Sequence, residues 1–286
     1  LAAQVFALRQ EARQEKNRDK LQVLELVAVA SVYEARLQTA KLIHTLDLFD
    51  PAHIFQLLEQ EYLIRRNEEE QTIGGLHAVR SQILVELLTS PDVNPWLALA
   101  QRVLPLLCEA ALEMFLLHAM VEHPADFSAL LQTMTTFQPD TWRGAAGLLR
   151  CLLWAGVRAY VDANQDVIEE AHNLMGRAWY FIIHLNFAGQ DVPDSRAIWD
   201  SLESLIDKEK LDQFIAIQAR QTPTMEALHY APTWLSNLTG IPQAPSNAAD
   251  WAGVAELLYW AGRCGRPGIL AWISEEELIG AIQKLP

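Results

Sequence analysis

Between Tyr62 and Leu76 the chain carries a signal for extended structure that limits the folds open to it. YLIRR (62–66) and QTIGGL (71–76) are two short runs bearing apolar residues, separated by the polar turn NEEE, which is the layout of a β-hairpin. HAVRSQILVELLTS follows at once with helical spacing, placing Val79, Ile83, Leu84, Leu87 and Leu88 on one face before Ser90-Pro91 stops it. A hairpin feeding directly into a helix restricts what can precede it. It calls for a small helical core that covers the apolar side of the strands.

The preceding residues supply such a core. LQVLELVAVASVY (21–33) is nearly continuous apolar sequence interrupted by Glu25, long enough to favour a buried helix over a strand. A second helix is expected from about Leu37 to Leu46. Asp50-Pro51 then provides an N-cap, with proline at the first helical position, ahead of AHIFQLLEQE. Residues 1–20 read as a polar, charge-mixed helical connector with Val5, Phe6, Leu8 and Ala12 on one side. Residues 21–90 thus describe a winged-helix-like domain. Because the sequence opens inside an amphipathic pattern, it reads as an internal piece of a longer protein.

Beyond Pro91 strand signals vanish. Helical segments are expected at 95–121, 126–137, 140–161, 164–186, 194–206, 208–220, 224–238, 249–263 and 267–284, separated by Pro, Asn, Asp or Gly. Short connections between amphipathic helices favour antiparallel pairs, so residues 91–286 are expected to form a solenoid-like array of helical hairpins. No fixed 34- or 40-residue period is present. TGIPQAPSNAAD (239–250) reads as a surface loop or subdomain joint. The expected fold class is mainly α, a small winged-helix domain with one β-hairpin followed by the helical array.

Charge and motif content exclude several functions. The net charge of −14 is uneven, with 10 basic and 13 acidic residues up to position 90, and 12 and 23 beyond it. Such a surface repels phosphate backbones, so nucleic acid is not an expected partner. A DNA-reading winged helix needs basic side chains on its recognition helix and wing. Here the 77–90 helix offers His77 and Arg80, and the wing turn is Glu68-Glu69-Glu70. No apolar run reaches the roughly 18 residues that a membrane span requires. Cys108, Cys151 and Cys264 are odd in number, widely spaced and set in or beside apolar helical sequence, which suits a reducing cytoplasm. No phosphate-cradling loop ending in Gly-Lys-Ser/Thr and no nucleophile elbow occurs, so no catalytic residue is assigned. E-x-x-H appears as Glu169…His172 and Glu226…His229 without the further inward glutamates of a di-iron bundle. His118, Glu122 and His123 similarly lack a common face, and no metal site is expected.

Leu21 to Leu88, with its apolar helix, capped helix, hairpin and GGLHAVRSQILVELL, resembles the winged-helix domain of the STAND class of signalling NTPases. In that class a Met/Leu-His pair opens the domain's last helix, and its histidine contacts the β-phosphate of bound ADP. The resemblance implies this role for His77. A histidine at a helix amino end is also physically suited to a phosphate, because backbone N–H groups and the positive end of the dipole point the same way. Gly74-Gly75 would admit a neighbouring domain closely. Arg80, three residues on, could assist the phosphate or bridge to another domain. Where the family commonly has aspartate after the histidine, this chain has Ala78. By the same resemblance, ATP or ADP with magnesium would be held by an NTPase domain upstream, with none bound by this chain alone.

The helical remainder would correspond to the sensor region of such proteins. RGAAGLLRCLLWAGVRAY and WAGVAELLYWAG (251–262) are similar to segments of bacterial antiviral STAND proteins, in which recognition of a target, such as a phage protein, releases an effector and can accompany homo-oligomerisation. Trp154, Trp179, Tyr180, Tyr259 and Trp260 are candidate partner-contacting residues, since Trp and Tyr dominate interface hot spots. Tryptophans at helical spacing among Leu and Ala also commonly pack internally. The alternative function is a scaffold or protein-binding module with no nucleotide role.

Overall fold

A computed structural model describes residues 1–13, 18–90, 92, 94–175, 208–220, 230–242 and 245–263. It is mainly helical, and it divides into two compact units, Leu1–Thr133 and Met134–Pro286.

The first unit is organised around α2 (Arg18–Ser31), preceded by α1 (Ala2–Arg13). Val23, Leu24 and the run Leu26–Ala30 are at most 1% exposed, so from Leu26 to Ala30 this helix is buried on every side and enclosed by its neighbours. Each fully buried large aliphatic side chain contributes about 1.5–3 kcal/mol. Residues 1–20, expected to be a polar helical connector, contribute buried side chains to this unit. Val5 and Leu8 of α1 are buried while Phe6 is 65% exposed, and Lys20 is buried in an ion pair with Glu61.

Leu37–Gln38 form a strand, β1, where a helix is expected to begin; α3 starts at Thr39 and ends at Leu46. The cause is pairing. Leu37 and Gln38 lie opposite Ile73 and Thr72 of β3 (Thr72–Gly74), which also pairs with β2 (Arg65–Asn67). The hairpin thus gains a third strand, giving an antiparallel sheet in the order β1-β3-β2. Helix α4 (Pro51–Gln60) begins as its sequence requires: the Asp50 carboxylate accepts from the His53 N–H at 3.2 Å, with Pro51 in the first turn.

Helix α5 (Ala78–Leu88) follows β3 and packs on α2. Its inward stripe is Ser81, Leu84, Val85 and Leu88, whereas Val79 and Ile83 are 64% and 41% exposed. The face expected from sequence is therefore rotated. Apolar residues surround this helix, so their spacing did not single out the side that meets α2, whereas the small Ser81 permits close approach there. The expected 95–121 helix is divided into α6 (Trp96–Val103), a 3-10 turn at Leu104–Leu106, and α7 (Glu109–Glu122). Pro105 cannot donate a backbone hydrogen bond, and the chain beyond it turns to Arg36 and Leu37 through Cys108 N–H to the Arg36 carbonyl at 2.8 Å. Helix α8 (Pro124–Met134) follows.

In the second unit α9 (Trp142–Ala163) is capped by Thr141, whose hydroxyl accepts from the Gly144 N–H at 3.1 Å. It packs against the Ala248–Arg263 helix. Gly253 sits directly on the first turn of α9: a Cβ there would lie 2.8 Å from the Trp142 carbonyl oxygen. The Tyr230–Asn237 helix buries Trp234 fully, its indole N–H donating to the Phe137 carbonyl at 2.9 Å. Helix α10 (Gln165–Met175) packs on the Lys208–Gln218 helix through Ala171, Phe214 and Ile217. Among the described residues no helix is long and apolar enough to cross a membrane.

Candidate functional site

The glycine pair and His77 converge on one concavity of the first unit. Strands β2 and β3, the turn from α2 into β1, and the start of α5 line a cavity of about 770 Å³ that opens to solvent. His77 is the N-cap of α5, and its Nδ1 accepts from the Val79 N–H at 3.2 Å. With Nδ1 accepting from the backbone, Nε2 is the ring nitrogen left to meet another group. The ring is exposed and lines the cavity together with Leu76 and Ala78.

Gly75 is what brings this helix start against α2. Ser31 Oγ accepts from the Gly75 N–H at 2.6 Å, and a Cβ on Gly75 would stand 2.4 Å from Ser81 Oγ and 3.0 Å from Ser31 Cβ. The position therefore excludes a side chain. Ser31 is itself visible in the sequence as a polar residue inside LVAVASVY, though its partner lies 44 residues away.

Three guanidinium groups line the same cavity. Arg36 pairs with Glu70 at 2.6 Å and Arg66 with Glu59 at 2.7 Å, while Arg65 is exposed and has no acidic partner among the described residues. The Arg66 hydrogen bonds hold the Glu59 carboxyl below its ordinary range. Glu34, Glu68 and Glu69 also line the cavity. Thr72 is 6% exposed, and its Oγ1 has no hydrogen-bond partner. Neither Arg65 nor Thr72 stands out in the sequence, because each gains significance from strands and turns that meet only after folding.

Other candidates lie elsewhere. Arg80 is half-buried with its Nε unpartnered and does not line the cavity with His77. Trp154 is 56% and Tyr259 49% exposed, on α9 and on the Ala248–Arg263 helix that packs against it, and Arg150 of the first pairs with Glu256 of the second. Trp260 is half-buried and meets Tyr259 edge to face. Trp179 and Tyr180 lie outside the described residues, as does Glu226…His229. Glu169 and His172 of α10 both face solvent. His118 stacks on Tyr33 and His123 on Trp96, with ring centroids 5.3 and 3.6 Å apart, so these histidines serve as packing surfaces. No cluster able to hold a metal ion occurs among the described residues.

No family model matches this chain, no curated protein is detectably similar to it, and no solved structure matches it.

Proposed function

We propose that the chain is the regulatory and sensing portion of a STAND-class NTPase, in which residues 18–90 form a winged helix that responds to nucleotide state and the second unit binds a protein partner. What carries the reading is the position of His77: an exposed imidazole at the amino end of α5, at a cavity built from the hairpin and the α2–β1 turn. The order helix, strand, helix, helix, hairpin, helix, with the sheet arranged β1-β3-β2, supports a winged helix. The exposed Trp154 and Tyr259 on two packed helices support partner recognition, since exposed aromatics supply contact area at low entropic cost. The bacterial antiviral kind of STAND protein fits the two segments that carry those residues, which here pack together. Magnesium and the adenine nucleotide would be held by an NTPase domain that this chain contacts.

The test is His77→Ala in the protein that carries that domain. Losing a charge-assisted phosphate contact would weaken ADP retention about tenfold or more and raise basal activity. Unchanged ADP affinity with unchanged activity refutes the role. One observation favours a second reading, a protein-binding module without a nucleotide role: Nδ1 of His77 already caps α5. His77→Asn separates the two. Asparagine restores a cap; restored stability without restored ADP retention identifies the phosphate role, and recovery of both leaves capping as the whole of it.

A further inference from the structure

We infer that the outward face of α5 is a self-association surface, on which a second copy of this chain packs its own α5 about a two-fold axis. Val79, Ile83 and Leu87 stand four residues apart and form one ridge along the helix. Val79 is 64% and Ile83 41% exposed, and Leu87 is half-buried. The stripe that packs on α2 is Ser81, Leu84, Val85 and Leu88, so the ridge is left facing solvent. Ridges of this spacing interlock in the commonest class of helix packing.

The charges beside the ridge favour a second copy over an unrelated partner. At about 100° per residue, Arg80 and Glu86 lie about 60° to either side of Ile83, three positions before and after it. On opposite flanks, they cannot meet within one helix. A two-fold axis running along the ridge sets Arg80 of each copy over Glu86 of the other, so that one sequence supplies both halves of two equivalent ion pairs. An axis across the ridge would oppose like charges instead, which disfavours that orientation. Both groups are available. Arg80 has no acidic partner among the described residues, and Glu86 is exposed and accepts from the neutral Gln82 amide at 3.4 Å. Because a two-fold interface closes on itself, the product is a dimer and nothing larger.

The experiment is sedimentation equilibrium of the 286-residue chain and of Val79→Asp, Arg80→Glu, Glu86→Arg and the double reversal, with circular dichroism to confirm that each is folded. A monomer–dimer equilibrium with a dissociation constant below about 100 μM is expected. Val79→Asp abolishes it by placing a charge in the apolar ridge. Each single reversal acts at both ion pairs and weakens the dimer about tenfold or more, and the double reversal restores it to within about threefold. A chain that stays monomeric, a dimer that these substitutions leave unchanged, a double reversal no tighter than either single one, or association beyond the dimer overturns the inference. Val79 and Glu86 are exposed, so their variants keep the test valid even if Arg80→Glu fails to fold. The readout is mass, with no nucleotide present, and is therefore independent of the sensor reading, which His77→Ala tests through ADP retention.

Discussion

His123 shows how a titratable side chain becomes part of the packing. Its ring lies nearly parallel to that of Trp96, at an interplanar angle of 7°, and burial there lowers its pKa below the ordinary histidine value, against the opposing pull of Asp126 and Glu122. Above the ordinary value, near 6.5, the ring is neutral in folded and unfolded chains alike, and it contributes no pH dependence. As pH falls through that value the unfolded chain takes up the proton first, so stability declines until the folded-state pKa is passed. His123→Gln should therefore lose less melting temperature than the unmodified protein between pH 7.5 and 5.5; identical slopes would refute the assignment. What can be read at residue scale from sequence is what is local. The Asp50-Pro51 cap and the placement of His77 at a helix start follow from neighbours within three positions. The Ser31–Gly75 bond spans 44 residues and the Arg65–Thr72 wall exists only once the sheet has formed, so no local pattern announces either.

Elements were legible wherever hydrophobic period and capping residues agreed, and illegible where a partner decided. Leu37–Gln38 joined the sheet because Ile73 and Thr72 lie opposite them, and the inward face of α5 was set by contact with α2 rather than by its own apolar residues. The same dependence on a partner governs the glycines of the Ala248–Arg263 helix. Gly253 meets the backbone of Trp142, which cannot swing aside, whereas nothing lies within 4 Å of a Cβ at Gly262. Gly253→Ala should destabilise by about 1–3 kcal/mol through overpacking. Gly262→Ala should be neutral or stabilise by up to about 1 kcal/mol, because alanine loses less backbone entropy than glycine in a helix. Denaturant unfolding of both variants checks the pair. Equal effects would mean that α9 does not approach this helix as closely as the Trp142 contact requires.

At the scale of the molecule, the two units raise the question of whether the cavity needs the second. Every element that lines it belongs to residues 31–78, and α2, which supports it, is enclosed by helices and strands of the first unit. The apolar run of α2 is thus satisfied before Met134, and domains of this length ordinarily bury enough surface to fold alone. Glu25 is the polar exception in that run. Burial raises its pKa, while Arg102, Arg9 and an Asn94 hydrogen bond act against the shift, and all of these groups lie within the same unit. A fragment of residues 1–134 should therefore show one cooperative thermal transition and dispersed amide resonances. A fragment that melts without cooperativity would instead show that the second unit supplies part of the stability that α2 and the hairpin require.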